Sequence, residues 1–413
     1  MILSARCVLP IVGPPIDNGA VCITGERITA VGPASALDGE AVTDLGRVIL
    51  MPGFINAHTH LELTGYAGLI PQSPLWDWLT ALIALRRKPG AADQEINAAR
   101  EGARLSLAAG VTCVGDISRT GRPFDALLES PLRKICFFEL ISGASDEPRD
   151  AKGLAKHVRA FAERVRDRND VTVGVSPHAL YTVVWDDVRQ LVGLADELDL
   201  PITMHFAETP DELDWIRERT GRVAAFRRQY PAPDERHYGR GDAVSLLHHC
   251  NMTHQRPLLA HCNYLDDEQL SMLARTPCSV ALCPRAHAFF GHADHRWRDM
   301  LDAGVNVCVG TDSLAGNTSL SVLDELRYLN RQAPRVDPSL LLEMGTIRAA
   351  RALGLADALG SLQPGRFADL AVFPLPDACA ARDAPAALLA SDRTAERVWI
   401  SGREIPDLRR APK

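Results

Sequence analysis

No run of about 18 consecutive apolar residues occurs in this 413-residue chain, so no segment is predicted to span a membrane. The opening stretch, "MILSARCVLPIVGPP", is short and broken by proline, and a signal peptide is not expected there. Ten cysteines are present, yet none forms a C-x-x-C pair. Cys113, Cys136, Cys262, Cys278, Cys283 and Cys308 sit inside apolar runs. They read as buried thiols in a reducing cytosol, which excludes a disulfide framework or a zinc knuckle. Clustered positive charge is missing too. Net charge is -7 and pI is about 6.0, a poor match for the phosphate backbone of nucleic acid. There is no low-complexity segment, no internal repeat and no Gly-rich phosphate loop after the first strand. The expected partner is therefore a small molecule, met in the cytoplasm by a protein that binds neither nucleic acid nor membrane.

What the chain does have is a long alternating middle. Apolar runs occur at 53–58, 111–117, 135–142, 171–176, 201–207, 257–262, 278–283 and 305–311. Helix-like segments such as 93–109, 150–168, 186–198 and 266–275 lie between them. Continuous apolar strands alternating with helices predict a parallel sheet buried on both faces. Eight units predict an α/β fold, a (β/α)8 barrel. The ends differ. Residues 18–32 read as a β-hairpin turning at Gly25-Glu26, and 365–373 and 397–405 read as strands. The expected organisation is a small β-sandwich domain made by 1–52 and 361–413, around a barrel over 53–360. The stretch 220–256 is long for a connection, a length often used for lids and binding loops.

The polar residues at the strand ends carry the chemistry. "PGFINAHTHLELTG", residues 52–65, places His58 and His60 where the first run stops. The pair alone is no signal, since 13 histidines give about 0.4 H-x-H pairs by chance. The joint pattern is stronger. His178 ends the fourth run, His205 and Glu208 the fifth, His261 the sixth and Asp312 the eighth. In a (β/α)8 barrel those ends share one mouth. Residues i and i+2 of a strand face the same way, so His58 and His60 can address one ion. Imidazole plus carboxylate suits a divalent first-row metal such as zinc or iron. The expected ligand set is His58, His60, His205 and Asp312, one metal ion per subunit with one position left for water. His261 and Asp312 are expected to orient that water or take its proton. Glu208 is expected to protonate a ring nitrogen of the substrate. For Asp312 a helix N-cap is the competing reading.

At this point the chain resembles the amidohydrolase superfamily over nearly its whole length. "MPGFINAHTHLEL", "HFAET", "AHCNYL" and "VGTDS" match that family's strand-end motifs, and "GSLQPGRFADLAVF" matches its return to the small β domain. "CPRAH" resembles the C-P-x-[SA]-N motif of its deaminase branch, with His287 in place of Asn. Two-metal members carry a modified lysine on the fourth strand. "VGVSPHAL" has none, so the resemblance implies a single metal. It implies a hydrolase of carbon–nitrogen bonds, a deaminase of aromatic heterocycles, and commonly a homodimer. His178 is implied as a ribose contact and Glu62 as a substrate-binding residue. "HTHLELTGYAGLI" resembles the branch acting on aminodeoxyfutalosine, an adenine-containing intermediate of menaquinone synthesis. Arg285 would steer a carboxylate on such a substrate, or else form a salt bridge at the rim. Trp76, Trp78, Phe289, Phe290 and His292 are candidates for the pocket wall, with core packing as the alternative. The competing functions are guanine, cytosine or S-adenosylhomocysteine deamination, an imidazolonepropionase-like ring opening, triazine dechlorination, and a barrel that merely binds.

Overall fold

The computed structural model describes residues 1–37, 42–144, 148–230, 232–377 and 379–406. The expected small-domain segments 1–52 and 361–413 thus run partly outside the described residues. The eight apolar runs form eight parallel strands: β1 Phe54–Thr59, β2 Val111–Ser118, β3 Arg133–Leu140, β4 Val171–Pro177, β5 Thr203–Phe206, β6 Leu258–His261, β7 Ser279–Leu282 and β8 Asn306–Val309. They pair in chain order as two four-stranded sheets. Parallel bridges from Val175 to Ile202 and from Thr59 to Asp312 join the two sheets and close the barrel. Helices Ala91–Ala108, Ala151–Val165 and Trp185–Leu198 lie between strands as expected. They bury their apolar stripes outside the barrel with Val114, Cys136, Phe138 and Val173.

The barrel axis is filled by Ile55, Ala57, Cys113, Ile117, Ile135, Phe137, Leu258, Ala281 and Cys308. Ala349, Ala350, Leu353 and Leu359 plug the end away from the strand C-termini. The first strand then breaks its own alternation. Ile55 and Ala57 belong to the axial cluster, yet His58 and His60 also face the barrel mouth. The register against β2 slips between Asn56 and Thr59, where three steps on β1 match two on β2. One extra residue flips the side-chain parity. This bulge lets apolar filler occupy odd positions below and imidazoles occupy even positions above. Two glycines give the bulge room. A Cβ on Gly115 would stand 2.6 Å from the Ala57 carbonyl oxygen, and one on Gly310 would stand 2.6 Å from the His58 carbonyl oxygen. That same His58 oxygen accepts from the amides of Thr311 and Asp312, both at 3.1 Å.

The terminal segments build a mixed sheet from Ile2–Val8, Ile16–Thr24, Arg27–Pro33, Val42–Asp44, Val48–Pro52, Leu370–Pro374, Arg397–Ile400 and Arg403–Glu404. The small β unit is thus one continuous hydrogen-bonded sheet with a core of Leu3, Val21, Ile28, Leu50, Leu370 and Trp399. The stretch 220–256 is no open loop. It holds helices Gly221–Arg227 and Ala243–His249 with two 3-10 turns, and Arg227 lies over the rings of Trp215 and Tyr238 at 4.7 and 4.1 Å. All ten cysteines are free thiols. Burial pushes Cys113, for one, up to about 12. No helix among the described residues is long and apolar enough to cross a membrane.

Candidate metal centre and the residues around it

Five imidazoles meet at the mouth. The ring of His58 lies 5.2, 4.9 and 5.3 Å from those of His60, His205 and His261, and the ring of His178 lies 4.7 Å from that of His205. Two of them are aimed by backbone carbonyls. His205 Nδ1 stands 3.2 Å from the His178 carbonyl oxygen, which fixes the proton on Nδ1 and leaves a bare lone pair on Nε2. His60 bonds the Ile117 carbonyl and turns its Nε2 to within 3.2 Å of His205 Nε2. Burial and the neighbouring imidazoles hold His58, His60, His178 and His261 well below the usual histidine range, and burial holds His205 at about 4. The rings are therefore neutral, the form that ligates metal.

Two facing lone pairs 3.2 Å apart repel unless a cation or proton sits between them. Two nitrogens on one tetrahedral zinc, each about 2.0–2.1 Å from it, stand roughly 3.3 Å apart. His58 is fully buried and neither of its ring nitrogens has a partner. Buried polar atoms are normally satisfied. His58, His60 and His205 offer ligand atoms all within 4.8 Å of one another. Asp312 Oδ1 stands 3.9 and 3.7 Å from Nε2 of His58 and His60. The donor set fits a divalent transition metal.

The remaining strand-end residues surround it. Non-glycine residues adopt left-handed backbone at Ala207, His261, Cys262 and Asp312, all at or just beyond the ends of β5, β6 and β8. Such conformations cost energy and persist where the surroundings over-determine them. Here the amides of Cys262 and Tyr264 donate to the carbonyls of Phe206 and Ala207, and Asn263 Nδ2 donates to the Glu208 carbonyl. Glu208 Oε1 consequently lies 3.8 Å from His261 Nε2. Burial, Asp312 and Glu212 push the Glu208 carboxyl well above the usual carboxylate range, and burial pushes Asp312 up to about 6. Asp312 also accepts from the adjacent Ser313 amide at 2.7 Å, but the N-cap of the following 3-10 turn Leu314–Gly316 is Ser313, so the competing N-cap reading of Asp312 fails and its carboxylate faces the histidines.

His178 stands against His205 with its Nδ1 2.7 Å from Thr182 Oγ1. Glu62 is buried, and both its oxygens are committed. One accepts from Arg86 at 2.6 Å and the other from Ser118 Oγ. Arg86 is shared with Glu95. Arg285 donates to Thr318 Oγ1 and stands 3.9 Å from Asp324. Trp76 packs on Tyr181 and Phe226, and Trp78 on Phe290, so both tryptophans belong to the core.

Two acids escaped the sequence reading. Glu212 accepts from the amides of Ala207 and Glu208 at 3.1 and 2.9 Å, and its own amide donates to Thr209 Oγ1. The signal was present in "TPDE", a T-x-x-E capping pattern opening helix Pro210–Glu218. Glu139 ends the inward row of β3 with Oε1 3.6 Å from His205 Nδ1. An acid at the end of β3 is the same kind of signal that singled out Glu208 and Asp312.

Known proteins resemble this chain in sequence and in fold. A 5-methylthioadenosine/S-adenosylhomocysteine deaminase of Nitratidesulfovibrio vulgaris (strain DP4) is 31% identical over 375 residues, 87% of this chain and 80% of that protein. The fold is shared with Helicobacter pylori aminofutalosine deaminase in complex with methylthio-coformycin, at TM-score 0.84, 22% identity and coverage of 98% and 99% of the two chains. It is shared equally with an adenosine deaminase from Xanthomonas campestris with bound zinc, at TM-score 0.83, 23% identity and coverage of 98% and 92%. The family model described as "Amidohydrolase family" matches residues 49–405. The chain belongs to the Amidohydrolase family and is a hydrolase of carbon–nitrogen bonds.

Proposed function

We propose that the chain is a metal-dependent deaminase that releases ammonia from a small adenine nucleoside, with aminodeoxyfutalosine the first substrate to test. The observation that carries this reading is the pairing, on one rim, of a ready cation site with a buried acid. The Nε2 atoms of His60 and His205 are 3.2 Å apart, and Glu208 reaches to 3.8 Å from His261. The relatives' printed names, 5-methylthioadenosine, S-adenosylhomocysteine and aminofutalosine deaminases, point toward an adenine nucleoside.

His58, His60, His205 and Asp312 would hold one zinc or iron ion, which when bound supplies hydroxide near neutral pH by lowering the pKa of water from 15.7 to about 7. The protein's own groups do the rest. Glu208, protonated because it is buried near Asp312 and Glu212, donates to the ring nitrogen beside the amino-bearing carbon. Asp312 takes one proton from the attacking water and passes it to the departing amine, and the second water proton restores Glu208 as the carbonyl forms. His261 hydrogen-bonds the oxygen that becomes the carbonyl. The C–N bond breaks, ammonia leaves, and an amidine becomes a lactam. Glu212 keeps Glu208 aimed through two amide bonds.

The test is chelation followed by reloading with zinc or iron. Ammonia release is then measured from aminodeoxyfutalosine, 5-methylthioadenosine, S-adenosylhomocysteine, guanine and cytosine. Activity that returns with metal, on adenine nucleosides alone, supports the reading. Equal activity in stripped and loaded protein overturns the mechanism, and release from guanine or cytosine alone overturns the substrate class.

A further inference from the structure

We infer that Glu139 is a specificity residue, accepting hydrogen bonds from neighbouring sugar hydroxyls of the substrate alongside His178. The inference rests on the nucleoside deaminase reading and extends it to one side of the pocket. Ile135 and Phe137 line the barrel axis, and Glu139 is the next inward position on β3. It therefore enters the mouth directly above the apolar side chains of the barrel axis. The residue is 6% exposed and its Oε1 has no hydrogen-bond partner. The nearest imidazole nitrogen, His205 Nδ1 at 3.6 Å, is already directed at the His178 carbonyl. A buried carboxylate oxygen left bare is costly unless something donates to it.

The other groups at the mouth leave this role open. Both oxygens of Glu62 are held by Arg86 and Ser118. Glu208 and Asp312 serve the reaction. Glu139 and His178 each present a polar atom within 4.8 Å of the other's. Thr182 occupies His178 Nδ1, which leaves Nε2 for a ligand. Burial pushes the Glu139 acid up to about 8, and a carboxyl group beside an imidazole suits adjacent hydroxyls, which exchange hydrogen bonds with both. The substrate class that follows is a ribonucleoside with its 2′ and 3′ hydroxyls free.

The same cluster with His205 is also a candidate cation site, and the experiment separates the two. Metal-loaded unmodified protein and Glu139→Gln are compared on 5′-methylthioadenosine and its 2′,3′-dideoxy analogue, with metal content measured on both proteins. The expected result is a loss of about 10–100-fold in kcat/KM on the ribonucleoside, carried mainly by KM. The dideoxy analogue should change less than about 3-fold, and metal content should stay the same. Equal losses on both substrates would assign Glu139 to positioning His205 and overturn the inference. Loss of a second equivalent of metal would make Glu139 a ligand and overturn it too. If the unmodified protein releases ammonia from neither nucleoside nor from aminodeoxyfutalosine, the deaminase reading falls first and takes the subsite with it.

Discussion

The two ends of the barrel bury polar groups in opposite ways. At the end away from the mouth, Arg133 is buried against Asp369 at 2.6 Å. It also donates to the Asn169 carbonyl and Ser401 Oγ, and stacks on Phe367 at 3.7 Å. Lys134, equally buried, bonds two carbonyls and Asp170. At the mouth, His58 has no partner on either ring nitrogen, Glu139 Oε1 has none, and four non-glycine residues hold left-handed backbone. A closed network of buried charge costs desolvation and returns it through full pairing. An open one is left incomplete until a ligand arrives. The difference marks which end is structural and which is chemical.

The sharpest way to break this contrast is Glu208→Gln. The side chain keeps its size and loses its transferable proton. Ammonia release should fall by about 10²–10⁴-fold while bound metal, measured by elemental analysis, is unchanged. The pH profile gives an independent check. Glu208 is raised well above the ordinary carboxylate range, so its proton is present below that raised value and is lost as pH rises through it. The alkaline fall that this produces in the unmodified enzyme should be absent from the variant's residual activity.

Next comes the closed end. Arg133→Leu strands Asp369, which is 4% exposed. Breaking one side of a buried pair costs about 3–5 kcal/mol, read from the urea midpoint. Adding Asp369→Asn should recover part of it, because the amide oxygen still accepts from the Ser401 amide that Asp369 now holds at 2.8 Å. The kcat/KM of the folded fraction should be unchanged. A smaller effect follows from metal linkage. Zinc at 100 times its Kd should stabilise the protein by about 2.7 kcal/mol. The same increment is expected in Arg133→Leu, since the two ends share no bonding partner. An unequal increment would couple them.

The contrast also explains what the sequence made legible. The eight strands were readable because each is a short apolar run bounded by helix, and every one falls within a few residues of expectation. The meeting of His58, His60, His178, His205, His261 and Asp312 was readable because strand ends of a parallel barrel share a mouth. The β1 bulge was not, since nothing in "FINAHTH" announces a slipped register that depends on Gly115 and Gly310 across the sheet. Nor was the bond between Glu62 and Arg86, which are 24 positions apart on different elements. Glu139 was hidden for a simpler reason. The run 135–142 was drawn past it, so an acid at the strand end looked like an acid within the strand.

Arg285 gives the smallest expected effect and the finest discrimination. The sequence reading offered it two roles, a partner for a substrate carboxylate or a rim salt bridge. Its guanidinium is bonded to Thr318 and stands 3.9 Å from Asp324, and its backbone amide donates to Glu325 at 2.9 Å. The amide bond belongs to the chain and survives truncation of the side chain, so Arg285→Ala leaves that part of the loop in place. What is removed is a partly exposed ion pair worth about 0–1 kcal/mol, and kcat/KM should change by less than about 5-fold. Measured on 5-methylthioadenosine and on aminodeoxyfutalosine, the small loss should be the same for both. A loss above about 10-fold confined to aminodeoxyfutalosine would mean that the guanidinium leaves Thr318 for the substrate. The rim would then belong to the open, ligand-completed end of the molecule.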